Sequence, residues 1–431
     1  MAELSNKFEG EYQLFDYQDV SADDLVNHPR YALWYEVGTG KTLTAVAALN
    51  RLPEGSVLIL APKRVIDGVW NKLDVPIKHR KVTLLNYEKL SRMDKPIYAD
   101  YVVLDESQKV KSGDSKVAKK VRMISKRAKY VWCLSGTPVG NSYIDVFNIF
   151  KNIGIDEFQY PETAFIARYY VTAPFYVQTR YGTKQLQKPI AVRNAFKQEL
   201  FEIFSKYSNS LKMEDVHTLP ARHEIPFFLD GMVSKEYILA EQGIIAVSKD
   251  DVSVVAKLEA VGKCHQLANG FMYYKADDGK NHIKRLDMPN VKLEKLKQIM
   301  KANPNENFVV VYKFKADKML IERELTKMGY HCCDDFNDLD DPYYNVFMMQ
   351  IGAGEGINPQ KWSHIMILYS FDYSHLAYTQ TTGRLYRLGQ TKETYYYILI
   401  AKGTVEEVIY SAIQNKHSLD TYLKEVTKLV L

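Results

Sequence analysis

The sequence predicts an α/β protein: two doubly wound parallel-sheet lobes with a mostly helical insert between them. Three observations carry this expectation. Short apolar runs alternate with helix-length amphipathic stretches in the first third of the chain, the same rhythm returns after about residue 292, and the middle lacks it. In the first lobe, Ala32–Tyr35, Val57–Ala61, Val82–Leu85, Tyr101–Leu104 and Tyr130–Leu134 read as strands, because strands covered on both faces are continuously apolar. In the last lobe, Phe308–Tyr312, Val346–Met349, Ile365–Tyr369 and Thr394–Leu399 read the same way, with Ala316–Met328 as one intervening helix. Between them, Asn194–Tyr207, Ser234–Ala246 and Ser253–Leu267 have helical spacing. The expected divisions are 1–145, 146–290 and 291–431, the last closing on a helix.

Composition narrows the class. Hydrophobic residues are 46% and charged residues 25% of 431, as in globular proteins and unlike disordered or fibrous chains. The net charge, 57 − 52 = +5, is too small to specify a nucleic-acid partner. The four cysteines, Cys133, Cys264, Cys332 and Cys333, form no CxxC pair, so they read as core residues in a reducing compartment and not as a zinc site. No signal pattern opens the chain and no apolar run approaches the roughly 20 residues of a spanning helix. A cytoplasmic protein, or a nuclear one in a eukaryote, is expected.

The chemistry begins where strand Ala32–Tyr35 runs into Glu36-Val37-Gly38-Thr39-Gly40-Lys41-Thr42, followed by the helical stretch Leu43–Leu52. Gly38 and Gly40 let the backbone turn and aim N–H groups at phosphate oxygens. Lys41 reaches the β- and γ-phosphates, and the Thr42 hydroxyl suits Mg²⁺. The strict GxxxxGK[ST] pattern would need glycine where Tyr35 stands. Sixty-four residues after Lys41 (105 − 41), the buried strand Tyr101–Leu104 ends in Asp105-Glu106-Ser107-Gln108. At a strand's carboxyl end, Asp105 can hold Mg²⁺ through water and Glu106 can deprotonate the water attacking the γ-phosphate.

With these motifs the chain resembles the Swi/Snf-type DNA translocases of helicase superfamily two, and the match is ordered along nearly the whole chain. Phe15-Asp16-Tyr17-Gln18 resembles the segment whose glutamine reads adenine. Leu60-Ala61-Pro62 and Leu85-Asn86-Tyr87-Glu88 are similar to DNA-contacting loops, and Leu134-Ser135-Gly136-Thr137-Pro138 to the coupling motif. Gly354-Glu355-Gly356-Ile357-Asn358 resembles the motif that senses DNA and nucleotide, which implies nucleotide contacts from Gly356 and Asn358. Gln380, Arg384, Arg387, Gly389 and Gln390 fit QxxxRxxRxGQ, and Lys402-Gly403-Thr404-Val405-Glu406-Glu407 is similar to the closing helix. The resemblance implies two RecA-like lobes, ATP and Mg²⁺ as cofactors, and duplex DNA as partner. Gln108 stands where the family usually has histidine, so coupling to Ser135 would use an amide. The connection Phe314–Gln350 is shorter than the family's, and no chromatin-recognition module is recognisable, so a bare motor of viral or prokaryotic type is expected.

The arginines have their own rationale. A guanidinium delivered from a second lobe stabilises charge on the transferred phosphoryl group only when the lobes close, and Arg384 and Arg387 would share one face if their segment were helical. Nine basic residues against the single acid Asp114 between Lys109 and Lys129 suit a face near DNA. Tyr169, Tyr170, Phe175, Tyr176 and Tyr181, interleaved with Arg168, Arg180, Lys184 and Lys188, read first as packing and second as a base-stacking groove. Two rival functions stay open: a strand-separating DNA or RNA helicase, and a nucleotide-gated nucleic-acid-binding scaffold with negligible turnover.

Overall fold

The computed structural model describes residues 4–8, 13–136, 143–179, 182–249, 254–275, 281–352 and 357–414, within which the chain divides into two compact units, 1–218 and 219–431. Unit 1 opens with an antiparallel ribbon, β1 (Leu4–Phe8) with β2 (Gln13–Phe15), followed by the helix Asp16–Asn27. Its body is a six-stranded sheet built from β3 (Arg30–Tyr35), β4 (Ser56–Ala61), β5 (Lys81–Asn86), β6 (Tyr101–Asp105) and β7 (Tyr130–Ser135). A long antiparallel hairpin follows, β8 (Tyr170–Thr179) with β9 (Gly182–Val192), and then β10 (Ser208–Leu211) returns to the sheet. The order is β10-β3-β7-β6-β4-β5 and every pairing is parallel. The five expected strands of this lobe are all present, each slightly longer than its apolar run.

Unit 2 repeats the plan. β11 (Arg222–Leu229) precedes the helices Lys235–Lys249 and Val254–Ala268 and a small antiparallel hairpin, β12 (Phe271–Lys275) with β13 (Asn281–Arg285). Then come β14 (Phe308–Tyr312), β15 (Cys332–Cys333), β16 (Val346–Gln350), β17 (Ile365–Leu368) and β18 (Thr394–Ala401), in the wholly parallel order β11-β18-β17-β14-β16-β15. Both central strands, β6 and β14, are buried along their whole length, as the doubly wound arrangement demands.

Residues 146–290 are richer in strand than their reading as a mostly helical stretch. They carry several helices, but also the hairpin β8–β9 and the edge strands β10 and β11, one for each sheet. The physical reason is visible in β11. Its residues from His223 alternate half-buried and exposed, as an edge strand's do, and Pro226 interrupts the apolar stretch Ile225–Leu229, which weakens it as a strand signal. In β10 the sequence Ser-Asn-Ser-Leu has a single apolar residue, too little for a strand pattern, and it joins β3 by parallel main-chain pairing with one side-chain bond, Asn209 Nδ2 to Tyr35 OH.

Candidate nucleotide site

The carboxyl end of β3 turns through Gly38 (φ +96°) and Gly40 (φ +81°) into the helix Lys41–Arg51. At both glycines the left-handed backbone excludes other residues at little cost only to glycine. At Gly40 space agrees, because a Cβ there would sit 2.0 Å from Gln18 Nε2. Tyr35, where the strict pattern has glycine, is the wholly buried end of β3, and its hydroxyl meets Ser21 Oγ and accepts from Asn209 Nδ2 at 3.2 Å. The strand therefore continues through Tyr35, and the glycine turn begins after it. Lys41 Nζ donates to the carbonyls of Tyr35 (2.7 Å) and Glu36 (3.1 Å), across the cradle those N–H groups form. Thr39 closes the loop with its hydroxyl on Glu36 O at 2.8 Å, and Thr42 lies half-buried in the first turn of the helix.

Gln18 lies beneath this loop. Its Oε1 accepts from Phe15 N at 3.0 Å and its Nε2 donates to Thr39 O at 3.3 Å, while Tyr17 OH donates to the same carbonyl at 2.9 Å. The segment flagged by sequence is thus tied directly to the phosphate loop.

The acidic pair occupies the end of β6, with β7 between it and β3. Asp105 is buried; burial and its neighbour Glu106 raise its pKa to about 6, against the pull of Trp70 and Lys41. Trp70 Nε1 donates to Asp105 Oδ2 at 2.9 Å, Glu106 N donates to Oδ1 at 3.0 Å, and Tyr87 OH donates to Asp105 O at 2.8 Å. Glu106 has φ +51°, a left-handed conformation that a non-glycine residue adopts at a cost of about 1 kcal/mol or more, and such strain gathers at functional sites. Gln108 Nε2 donates to Glu106 Oε2 at 2.6 Å, and Ser135 Oγ donates to Gln108 Oε1 at 2.9 Å. The amide at 108 therefore joins the acidic pair to the start of the Leu134–Pro138 motif, whose Thr137 and Pro138 lie outside the described residues.

Trp70 was not singled out by sequence reading, and neither was the contact of Tyr87, which within the segment Leu85–Glu88 is buried against the acidic strand. A tryptophan in the polar stretch Asp67–Lys72 was the one available signal.

In unit 2, Arg384 and Arg387 follow the helix His375–Thr382 in turns and not in a helix, so the shared-face argument does not apply to them. The chain brings them together another way: burial, with Arg384's charge adding to it, lowers the Arg387 pKa to about 10, so Arg387 stays protonated at neutral pH. Arg387 Nη1 donates to Asn358 Oδ1, joining two of the expected site residues. Gln390 holds the turn, with Nε2 on Ser363 O at 3.0 Å and Oε1 accepting from Thr391 N and Lys392 N. Gly354, Glu355 and Gly356 lie outside the described residues, as do Arg180 and Tyr181 and the side chains of Phe175, Tyr176 and Lys184. Tyr169 and Tyr170 are core residues.

Of the nine basic residues from 109 to 129, four have partners within unit 1. Lys111 pairs with Asp145 and Lys129 with Asp100, Arg122 binds Asn152 Oδ1 and Gly113 O, and Lys120 caps backbone carbonyls. Lys109, Lys116, Lys119, Lys126 and Arg127 are exposed. Among the described residues no three His, Cys, Asp or Glu side chains are grouped to hold a metal, and no helix is long and apolar enough to cross a membrane.

Comparison with known proteins bears on this site. The family model of the SNF2-related domain matches residues 69–219, which include Trp70, Asp105, Glu106 and Ser135. The chain is 23% identical to protein p41 of Acyrthosiphon pisum secondary endosymbiont phage 1, over 96% of this chain and 98% of that one. It is 22% identical to the ATP-dependent helicase YqhH of Bacillus subtilis, over 88% of this chain and 74% of that one. With the ISWI chromatin-remodeling complex ATPase ISW1 of Saccharomyces cerevisiae the identity is 20%, over 89% of this chain but only 38% of the yeast protein. Among solved structures, the Sulfolobus solfataricus SWI2/SNF2 ATPase core in complex with dsDNA aligns over 99% of this chain and 95% of its own, with 18% identity and a TM-score of 0.43.

Proposed function

Since the protein carries an SNF2-related domain and is an ATPase of that type, we propose that it is a motor that couples ATP hydrolysis to movement along duplex DNA. One observation supports this reading above the others. The glycine loop with Lys41 and the acidic pair Asp105-Glu106 emerge at the same edge of one parallel sheet, close enough for Lys41 to act on the Asp105 carboxyl.

In this reading Lys41 exchanges its two carbonyl partners for the β- and γ-phosphates, and the backbone N–H groups of Gly38 to Thr42 surround the same oxygens. Gln18 serves adenine. Thr42 and Asp105 are the residues that would hold Mg²⁺. Their chemistry fits, because one hydroxyl and one carboxylate beside a triphosphate is the sparse oxygen set that this ion takes, and bound there it would neutralise charge on the phosphates. Glu106, held by Gln108, orients and deprotonates the attacking water. Arg384 and Arg387 stabilise the charge that develops on the γ-phosphoryl group, so hydrolysis waits on their arrival, with Gly356 and Asn358 reporting on nucleotide from the same unit. DNA contacts fall mainly on phosphates and are sequence-independent.

The test is ATP turnover with blunt duplex, single-stranded DNA and RNA at matched salt, for the native chain and Lys41→Ala. Duplex is expected to stimulate most, and Lys41→Ala to abolish the stimulated rate. Normal turnover in that variant, or no response to any polynucleotide, would overturn the reading; unwinding of forked duplex without displacement of a third strand would favour a strand-separating helicase.

A further inference from the structure

Unit 1 carries a second concave feature unrelated to the nucleotide site. Between the helices Tyr87–Arg92 and Lys116–Ser125 lies a pocket of about 240 Å³, lined by Leu90, Met93, Ile97, Tyr98, Met123 and Ile124. Its floor loop, 93–100, feeds the amino-terminal end of β6, whereas Asp105 lies at the carboxyl end. Five strand residues, roughly 16 Å, separate the two edges. Met123 is 56% and Tyr98 40% exposed, so apolar surface is open at the mouth.

The charge around that mouth is one-sided. Lys95 on the loop, Lys119 on the helix Lys116–Ser125, and Lys126 and Arg127 just past its end are exposed, and Arg127 sits 4.2 Å above the Tyr98 ring. Asp94 is the acid in the lining. Lys120 also lines the pocket, but its ammonium is turned to the carbonyls of Leu90 (2.9 Å), Ser91 (3.1 Å) and Met93, capping the preceding helix. The lysine that a ligand's anion would meet inside the pocket is thus already engaged, and the exposed cations stand on the rim.

We propose that this pocket docks a short acidic segment of a partner protein, with one large apolar side chain in the socket and Asp or Glu residues on the rim cations. The combination discriminates between anionic partners. A phosphate backbone would match the rim but offers nothing to a methionine-lined socket, whereas an apolar anchor flanked by carboxylates satisfies both. The site's distance from the nucleotide edge lets the partner stay bound through the hydrolysis cycle.

The probe is a fluorescein-labelled twelve-residue peptide with a central Phe-Leu pair flanked by Asp and Glu, titrated with the full chain by anisotropy. Two control peptides replace the pair by Ala-Ala or the acids by Asn and Gln. Saturable binding is expected, weakened at least about tenfold in either control and in Met123→Asp and Lys119→Glu/Arg127→Glu. Lys95→Glu, on the loop, gives an independent reading should a helix variant melt early, and ATP turnover in Met123→Asp is expected to match the native chain. Equal affinity for all three peptides, or binding insensitive to Met123→Asp and Lys95→Glu, overturns the proposal. So does loss of duplex affinity in these variants with peptide binding unchanged, which would mark a nucleic-acid face. The peptide-binding readouts do not depend on whether the motor reading is right.

Discussion

Each unit buries a carboxylate at or near a strand's carboxyl end, and the two are treated oppositely. Asp105 has an indole N–H, a backbone N–H and a second acid for company, and its pKa is raised to about 6. Glu406, just past β18, receives Lys292 Nζ on both oxygens at 2.8 Å, Asn269 Nδ2 on Oε1 and Ala401 N on Oε2, each at 2.8 Å. His265 Nε2 lies 3.3 Å from Oε1. Burial alone would raise Glu406; Lys292 and His265 outweigh it and hold its pKa at about 2, while burial lowers His265 to about 4 and leaves it neutral. A carboxylate supplied with its own buried cation is closed to outside ligands and serves the fold. One left beside a like charge has its charged form disfavoured, and an added proton or an added cation relieves it.

Breaking the closed cluster is the largest perturbation expected. Lys292→Met should cost about 3–5 kcal/mol by leaving Glu406 buried without its cation, and Lys292→Met/Glu406→Leu should recover much of the loss. Hydrogen exchange in the helices Val254–Ala268 and Val291–Ala302 is the measurement; additive losses in the double variant would deny the coupling.

The two carboxylates also predict opposite pH slopes. Asp105, raised above its ordinary value of 3.8, contributes stability below about pH 4 that is lost as pH rises through about 6. Glu406, held below its ordinary 4.5, contributes stability above about pH 4.5 that is lost as pH falls through about 2. Melting curves of Asp105→Asn should therefore gain on the native chain as pH rises from about 4 to about 6, at up to about 1.4 kcal/mol per pH unit, and run parallel to it above that. The deficit of Glu406→Gln should narrow toward pH 2. Parallel slopes in both variants would remove the contrast.

Trp70 sharpens the comparison at smaller scale, since its indole is one of the few donors Asp105 has. Trp70→Phe should leave the melting temperature within a few degrees while raising the Mg²⁺ concentration for half-maximal turnover and for half-maximal ATP-dependent protection of the Lys41 segment from exchange. Unchanged Mg²⁺ dependence would reduce the indole to packing. The smallest effect is assigned to Gln108→His, which keeps a donor toward Glu106 and introduces a group titrating near pH 6.5. A new fall in turnover below that pH, absent from the native chain, is the expected sign.

Legibility followed the kind of interaction. The nine strands predicted from continuous apolar runs are in place because a strand covered on both faces needs nothing more than such a run. The phosphate loop was readable because backbone geometry demanded glycine at 38 and 40, and the acidic pair because charge at the end of a buried strand is costly without a task. The edge strands β10 and β11 were not picked out, since Ser208–Leu211 is almost wholly polar and Pro226 interrupts the apolar stretch Ile225–Leu229. Trp70 on Asp105, and Lys292 with His265 on Glu406, are contacts across 35, 114 and 141 residues, and no local pattern announces them.

By itself, then, the sequence determined the layered α/β plan, the glycine turn after β3 and the acidic pair at the end of a buried strand, because each follows from a local rule of sterics, burial or charge. Only the tertiary structure decided which buried acid is neutralised from within and which is left waiting, because that depends on side chains brought together from distant elements.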